Sequence, residues 1–436
     1  MGHSPALITE AAALKDLAAA LCATARLKEG QPIPAAAGVA LRANGDRLAE
    51  DVCCYSDDGS VAALALRSSS LASLPESLSQ LAGLEHLDLT GNMLAELPES
   101  VLMLRKLQSL YLDANALKSL PASIEKLSSL RELHLDRNQL TLLSANIARL
   151  TCLETLHARC NRITSLPDDL GDLTRLKDLR VGKNPLTLVP ESLWRLTNLE
   201  TLDLSEMNLT SISASISALK KLRILDLGHN ELTSLPESIG DLTGLSNYLY
   251  LSNNHLASIP RTLGKLVKLS YLNITDNQLT SLPDTIGSMA GLKELRLYNN
   301  RLATLPDSLG NLSNLRELHL NDNELASLPY SIGRLRNLRE LRLQSNRLTS
   351  LPESIGELEH LTILDLRNNQ LSSLPDWLGS LTVLRHLDLR SNRLVSLPAS
   401  LANLAHLEKL DLRWNKLSPQ PELISRLTQR GCLVLR

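Results

Sequence analysis

A repeat with a period of 23 residues occupies most of this chain and constrains its fold more than any other feature. Aligning the sequence on itself gives sixteen copies of LxxLxLxxNxLxxLPxxIGxLxx, with LxL cores running from Leu64 and Leu66 to Leu410 and Leu412. Each copy has an apolar edge that only a neighbouring copy covers, so the copies are expected to stack into one elongated array. A length of 436 residues ordinarily suggests two or three globular domains, but the repeats predict one stacked array instead.

The consensus positions predict the structure of one coil. LxL alternates apolar and polar residues, which is typical of a short strand with its leucines inward. The Asn, replaced only by Ser69 and Met207, offers amide donors and an acceptor to backbone groups of the adjacent turn. The Pro fixes its own φ angle and needs no N–H partner, so it suits the start of the return segment. The IGxLxxL run that follows predicts a short helical or 3-10 turn.

Both ends of such an array need a cap, because terminal coils expose an apolar edge. Residues 5–28 are rich in Ala and Leu, and one helical face is expected to carry Leu7, Ala11, Leu14, Leu17 or Ala18, and Leu21. The ending SPQPELISRLTQRGCLVLR predicts a helix over the last leucine layer and then an edge strand. The predicted domains are an N-terminal cap at 1–60, a solenoid at 61–417 and a C-terminal cap at 418–436.

Composition argues against several classes of function. Lys and Arg number 45 against 47 Asp and Glu, and this balance disfavours nucleic acid and anionic lipid as partners. No stretch of about 18 apolar residues is present, and Glu10, Lys15 and Asp16 interrupt the N-terminal apolar run. The six cysteines form no CxxC pair and do not cluster at the ends of the repeats, which favours a reducing compartment. We expect a cytoplasmic protein, or one secreted into a host cell without a cleaved signal peptide.

Catalytic motifs are absent from the sequence. It contains no Gly-rich phosphate loop, GxSxG or HExxH. His134 and His157 occupy the same outward position in adjacent repeats, where a metal pair is conceivable, but ordinary surface histidines are the favoured interpretation. Cys53 and Cys54 are interpreted as two free thiols. The prediction is therefore a non-enzymatic protein with no cofactor, no metal and no catalytic residue.

The outward strand positions are where a partner is expected to bind. Tyr and Arg dominate interface energetics, and both are frequent there, in two patches that we predict to be aromatic and basic. The first predicted patch comprises Tyr111, His134, His157, Arg159 and Arg180. The second comprises Tyr248, Tyr250, Tyr271, Arg296, Tyr298, His319 and Arg342. In the last repeats, Asp365, Asp388 and Asp411 run beside Arg367, Arg390 and Arg413, and these ladders are expected to neutralise each other.

One repeat has 24 residues, with its extra residue between Leu245 and Leu249. A one-residue slip inside LxL would send the leucines outward, so the insertion is expected to form a bulge or wider turn at the strand entrance. That would bring Asn247 or Tyr248 beside Tyr250 and Tyr271. Two interpretations stay open: a neutral loop insertion, or the centre of the partner site.

The repeat LPESIGxLxxLxxLxLxxNxL resembles the intracellular 23-residue class of leucine-rich repeats, which includes Ras-pathway scaffolds, plant Ras-group repeats and bacterial proteins. The ending PELISRLTQRGCLVLR resembles the terminal cap of bacterial members. The chain is also similar to the repeat arms of PopC-like effectors, which plant pathogens inject by type III secretion. The resemblance implies an α/β solenoid, a horseshoe with a parallel sheet on its concave face and short helical or 3-10 turns on its convex face.

Taken with this resemblance, the outward surface predicts a monomeric scaffold that binds a protein partner on the concave face and does not bind nucleic acid or membrane. Bacterial effector and signalling adaptor are the roles that we expect for such a scaffold. The alternative is the substrate-recognition arm of a ubiquitin-ligase-type effector, or a weak cysteine-dependent enzyme. No ligase domain fits within the first 60 residues.

Overall fold

The computed structural model describes residues 5–23, 35–36, 53–55 and 60–436. These residues form two compact units, one ending at Asn208 and the other starting at Leu209. Each unit is a stack of coils in which a three-residue strand alternates with a short turn of helix. The expected strand–turn repeat is therefore confirmed within each unit.

The first unit contains the helices α1 (Pro5–Ala23) and α2 (Glu99–Leu102). Strand β2 pairs parallel with β1 and antiparallel with β3, while β3 to β9 run parallel, each paired with the next along the chain. The strands of this unit are β1 (Ala35–Ala36), β2 (Cys53–Tyr55), β3 (Val61–Ala65), β4 (His86–Asp88), β5 (Ser109–Tyr111), β6 (Glu132–His134), β7 (Thr155–His157), β8 (Asp178–Arg180) and β9 (Thr201–Asp203).

The second unit is a parallel sheet in which each strand pairs with the next along the chain, followed in its last coil by the helix α3 (Pro421–Gln429). Its strands are β10 (Ile224–Asp226), β11 (Tyr248–Tyr250), β12 (Tyr271–Asn273), β13 (Glu294–Arg296), β14 (Glu317–His319), β15 (Glu340–Arg342), β16 (Ile363–Asp365), β17 (His386–Asp388), β18 (Lys409–Asp411) and β19 (Leu433–Leu435).

The coil that contains the 24-residue repeat shows how the consensus residues act. Pro236 has a φ of −68° and an extended ψ, and it begins the 3-10 turn Glu237–Asp241. Ile239 from this turn and Leu249 from the strand are fully buried. Burying one such side chain stabilises the fold by about 1.5–3 kcal/mol. The leucine layers therefore supply the main stabilisation of both stacks.

The consensus Asn side chains bond to backbone groups of the adjacent turns as expected. The side-chain amide of Asn277 donates to the carbonyls of Leu251 at 2.9 Å, Thr275 at 3.0 Å and Ile274 at 3.3 Å. Its Oδ1 accepts from the N–H of Leu256 at 3.0 Å. One amide thus satisfies backbone groups of two consecutive coils that burial would otherwise leave unpaired.

In the coil where Met207 replaces the consensus Asn, a backbone hydrogen bond takes the place of one bond that the Asn side chain makes elsewhere. The N–H of Leu186 donates to the carbonyl of Asn184 at 2.8 Å, where other coils use an Asn oxygen. Met207 is buried, and the neighbouring Asn208 is exposed, so the backbone contact of Leu186 takes the place of the Asn side chain.

At the N-terminus the helix forms, and its buried face agrees with the predicted one only in part. Glu10, Ala13, Leu17 and Leu21 are buried, whereas Ala11 is exposed. Glu10 Oε2 accepts a hydrogen bond from the N–H of Val61 at 3.2 Å, so this polar contact helps to orient the helix. The prediction is confirmed for Leu17 and Leu21 and wrong for Ala11, because it counted only apolar residues and left out Glu10. Leu14 is half-buried, and the side chain of Leu7 lies outside the described residues.

At the C-terminus, the predicted helix and edge strand are both present. Ile424 and Leu427 of α3 are buried, and β19 pairs parallel with β18. Cys432, just before β19, is also buried, and this burial raises the pKa of its thiol.

Candidate functional site

The sheet face, meaning the strand side chains that point away from the leucine core, is the candidate site in each unit. On the first unit, Tyr111 pairs in register with His134, which in turn pairs with His157. The ring centroids of Tyr111 and His134 lie 4.5 Å apart in a stacked arrangement, and those of His134 and His157 lie 4.5 Å apart edge to face. The strand register thus builds a continuous row of rings.

The cations on this face are already paired, so the expectation of a basic patch is wrong for the first unit. Arg180 donates two hydrogen bonds to Asp178, at 2.9 and 2.8 Å. Arg159 Nε lies 3.0 Å from Asp203, and Lys183 Nζ lies 3.2 Å from Glu206. The hydroxyl of Tyr111 also has an acidic partner and donates to Glu132 at 2.6 Å. Acidic side chains at neighbouring outward strand positions therefore neutralise the basic residues of the first predicted patch.

The pKa values of two acids on this face, Asp136 and Asp178, are shifted in opposite directions. Burial raises the pKa of Asp136, although the N–H of Arg159 and nearby positive charges oppose the rise. Burial would also raise the pKa of Asp178, but His157, whose Nε2 lies 3.3 Å from Oδ1, and two hydrogen bonds from Arg180 outweigh it and lower the pKa. The Asp178 carboxylate is therefore held in its charged form by its two neighbours.

On the second unit, three tyrosines form a cluster on β11 and β12. The ring centroids of Tyr248 and Tyr250 lie 5.8 Å apart, and Tyr271 lies 5.5 Å from Tyr248 and 5.2 Å from Tyr250. The guanidinium carbon of Arg296 lies 5.5 Å from the centroid of Tyr271, within cation–π range. We call Tyr248, Tyr250 and Tyr271 the tyrosine cluster.

The tyrosine cluster is partly open to solvent. Tyr248 is 41% exposed, while Tyr250, Tyr271 and the nearby Tyr298 are half-buried. Within the described residues, no hydrogen bond joins the hydroxyls of the cluster to a protein group. Burial raises the pKa of Tyr250, and it raises the pKa of Tyr271 to about 12, although Arg296 acts in the opposite direction.

The extra residue is absorbed where the sequence predicted, just before the LxL core. The N–H groups of Ser270 and Tyr271 donate to two different carbonyls of this repeat, those of Ser246 at 3.0 Å and Asn247 at 3.1 Å, where the following coils direct both N–H groups to one carbonyl. Leu249 stays in register with its neighbours, and Tyr248 pairs with Tyr271. The bulge therefore precedes the strand and leaves the tyrosines outward.

Beyond the tyrosine cluster, β13 to β15 carry Arg296, His319 and Arg342 in register. Arg296 contacts Glu294, and Arg342 contacts Glu340. Burial lowers the pKa of His319, and Glu340 opposes this change. The sequence prediction considered only the outward residue that follows the strand Leu in each repeat. It therefore missed the glutamates that precede this Leu. Reading both outward positions together, as Glu-Leu-Arg and Glu-Leu-His, would have found them.

The last strands carry the paired ladders that the sequence suggested. Arg390 lies 2.6 Å from Asp388 and 3.3 Å from Asp411, and Arg413 lies 2.7 Å from Asp411. Burial would raise the pKa of Asp411, but these arginines lower it. Because its charges are compensated locally, this region is a poor candidate for charged recognition.

Among the cysteine side chains that the structure describes, none belongs to a constellation that resembles a thiol active site. Cys152, Cys160 and Cys432 form no disulfide. Cys53 and Cys54 lie in strand β2, but their side chains are outside the described residues. In the parts of the chain that the structure describes, no helix has the length and apolar character that crossing a membrane requires.

Comparison with known proteins identifies the repeat. Sequence models described as leucine-rich repeat region match residues 63–139, 123–227 and 208–328, and those described as leucine rich repeat match 336–394 and 375–417. A comparison with curated protein sequences gives no match.

Solved structures show the same architecture. A leucine-rich repeat protein of Leptospira interrogans is 35% identical, with a TM-score of 0.80, and the match covers 85% of this chain and 94% of that one. The plant peptide hormone receptor RGFR1 in complex with RGF2 is 31% identical, with a TM-score of 0.73, and the match covers 84% of this chain but 61% of the receptor. An internalin of Listeria monocytogenes is 26% identical, with a TM-score of 0.61 and coverage of 71% and 88%. This chain belongs to the leucine-rich repeat family.

Proposed function

We propose that this chain is a non-enzymatic scaffold that binds a partner protein on the sheet face of its second unit. The leucine-rich repeat architecture supports protein–protein interaction in general, and the site within it is our proposal. Its centre is the tyrosine cluster, flanked by Arg296 and Tyr298. The observation that carries the proposal is the mutual contact of three rings on one open face, with Tyr248 exposed and Tyr250 and Tyr271 half-buried.

Tyrosine suits such a site for physical reasons. Each ring offers a large apolar surface with few rotatable bonds, and its hydroxyl remains able to bond to a partner. Contact among the rings restricts their motion before a partner arrives, which reduces the entropy lost on binding. Arg296, close to Tyr271, adds a donor group at the edge of the cluster.

We propose that further residues enlarge the site of the second unit, and that the first unit carries a secondary binding surface. His319 and Arg342 extend the second-unit site along β14 and β15. Tyr111, His134, His157, Arg159 and Arg180 form the secondary surface of the first unit, where internal ion pairs reduce the capacity for charged recognition.

We also propose a biological setting for the scaffold. The 23-residue period and the α3–β19 ending support membership of the intracellular class and similarity to PopC-like effectors. The plant receptor RGFR1, solved in complex with RGF2, is a structural relative with a bound ligand. We propose a monomer that acts in bacterial cytoplasm or inside a host cell and binds protein rather than nucleic acid or membrane.

Affinity capture tests the proposed site. Wild-type chain and a Tyr250→Ala, Tyr271→Ala, Tyr298→Ala triple variant are used as baits in bacterial lysate and in plant extract. Tyr330→Ala is the matched control, because Tyr330 is 65% exposed but begins the 3-10 turn Tyr330–Arg334 rather than lying on the sheet face.

The proposal expects a protein captured by the wild type and the control but lost by the triple variant. Equal capture by all three baits would reject the tyrosine cluster as the site. Circular dichroism on each bait establishes that the variants remain folded.

A further inference from the structure

A histidine with two glutamates lies beside the tyrosine cluster, on strands β13 and β14. Glu294 and Glu317 pair in register, and so do Arg296 and His319. One ligand atom from each of Glu294, Glu317 and His319 lies within 4.8 Å of the other two. This grouping of one imidazole with two carboxylates matches the ligand types that hold first-row divalent cations.

The imidazole is the least satisfied member of the group. His319 Nε2 is buried and has no hydrogen-bond partner among the described residues. Glu317 Oε2 lies 3.4 Å away and Glu340 Oε1 lies 3.7 Å away, without hydrogen-bonding geometry. A buried nitrogen without a partner is costly, and coordination of a cation would satisfy it.

The arginines beside this group leave coordinating atoms available. Arg296 Nε contacts Oε1 of Glu294, and among the described residues no hydrogen bond or ion pair engages its Oε2. Hydrogen bonds of this kind commonly orient carboxylate ligands from outside a metal site. No arginine of the described part of the chain pairs with Glu317, and the side chain of Glu317 is 41% exposed, so solvent and ions reach the group.

We propose that Glu294, Glu317 and His319 bind a divalent first-row cation, for which Zn²⁺ is the appropriate probe. Zinc–nitrogen and zinc–oxygen bonds of about 2.0–2.2 Å require the ligand atoms to approach more closely than they do here, which rotation of the glutamate side chains allows. Three protein ligands leave a fourth position for water. Calcium is disfavoured because it takes six to eight oxygen ligands and an imidazole supplies none.

The neighbouring strands provide a conservative test variant. Both flanking strands carry Glu-Leu-Arg where β14 carries Glu-Leu-His, so His319→Arg is expected to fold. A Glu317→Gln variant removes the second ligand. His255→Ala is the matched control, because His255 pairs with Glu231 at 2.6 Å on an exposed surface of the same unit.

Isothermal titration of Zn²⁺ into the chelator-treated full chain is the experiment, with Ca²⁺ titrated in parallel. Wild type and His255→Ala should share a Zn²⁺ site whose affinity falls at least tenfold in His319→Arg and in Glu317→Gln. Unchanged Zn²⁺ binding in His319→Arg, or no binding by the wild type, would overturn the proposal. Calcium bound as tightly as zinc would also overturn it, because the imidazole would then have no role.

Discussion

The sheet faces of the two units carry similar residue types but differ in what those residues already contact. On the first unit, the hydroxyl of Tyr111 donates to Glu132 and Arg180 makes two hydrogen bonds to Asp178. On the second unit, Tyr250 and Tyr271 contact each other's rings, and within the described residues their hydroxyls bond to no protein group. The availability of a side chain for a partner therefore depends on its neighbours as well as on its type.

The largest expected difference between the faces is in partner affinity. Tyr271→Ala should weaken binding of the captured partner by about 2 kcal/mol, roughly thirty-fold, because Tyr271 contacts both other rings of the tyrosine cluster. Tyr111→Ala should change affinity by less than about threefold, since its hydroxyl is already satisfied by Glu132. Surface plasmon resonance with the purified partner measures the affinity of both variants. A larger loss in Tyr111→Ala than in Tyr271→Ala would contradict the proposed difference between the two faces.

The next effect concerns the stability of the first unit. Asp178→Asn should lower the free energy of unfolding by about 1–2 kcal/mol at neutral pH, because Arg180 and His157 lose their charged partner. The upper value is reduced by solvent screening, since the side chain of Arg180 is 39% exposed.

The pH dependence of this effect has a defined sign. The folded pKa of Asp178 is lowered, so its stabilisation is present above the ordinary aspartate pKa and is lost as the pH falls through the folded value. Urea unfolding at several pH values should show wild type and Asp178→Asn converging in acid. A difference that stays constant down to the lowest pH would contradict the ion-pair explanation.

A smaller effect is expected from the bulge. Deletion of Asn247 restores a 23-residue repeat, and the stability should change by less than about 1 kcal/mol because Leu249 is already in register. Partner affinity should fall about fivefold, close to 1 kcal/mol, because the strand entrance that carries Tyr248 narrows. Unchanged affinity would support the neutral-insertion interpretation and leave the rest of the tyrosine cluster as the site.

The smallest effect is confined to alkaline pH. Because the folded pKa of Tyr271 is raised to about 12, the stability linked to it is fully present below about pH 10 and falls as the pH rises towards the folded value. Tyr271→Phe should remove the last-titrating part of the tyrosinate absorbance at 295 nm and reduce the alkaline loss of stability. A titration curve that keeps its highest-pH component in this variant would show that Tyr271 is not its source.

The repeated part of the fold was predictable because each coil reuses the same few contacts. Asn277 satisfies backbone groups and Pro236 begins a turn through chemistry that is local to one or two repeats. The N-terminal helix was less predictable, because its buried face depends on the bond between Glu10 and Val61, 51 residues apart. A pattern of apolar residues alone does not reveal such a contact.

The site was predictable in position but only partly in chemistry. The strand register placed Tyr250 and Tyr271 outward and close together, as the repeat implied. The charge of the first patch was predicted wrongly, because Arg159 and Arg180 were considered without Asp203 and Asp178. Ion pairing depends on side-chain geometry within and between strands. One outward position per repeat, considered alone, does not reveal that geometry.

Site-specific photocrosslinking tests the central claim most directly. A benzoylphenylalanine is placed at Tyr248, which is 41% exposed in the tyrosine cluster, or at Tyr330, which is 65% exposed on a 3-10 turn. If the sheet face of the second unit binds the partner, the crosslinked complex forms from position 248 and not from position 330. Crosslinking from position 330 alone would contradict the account.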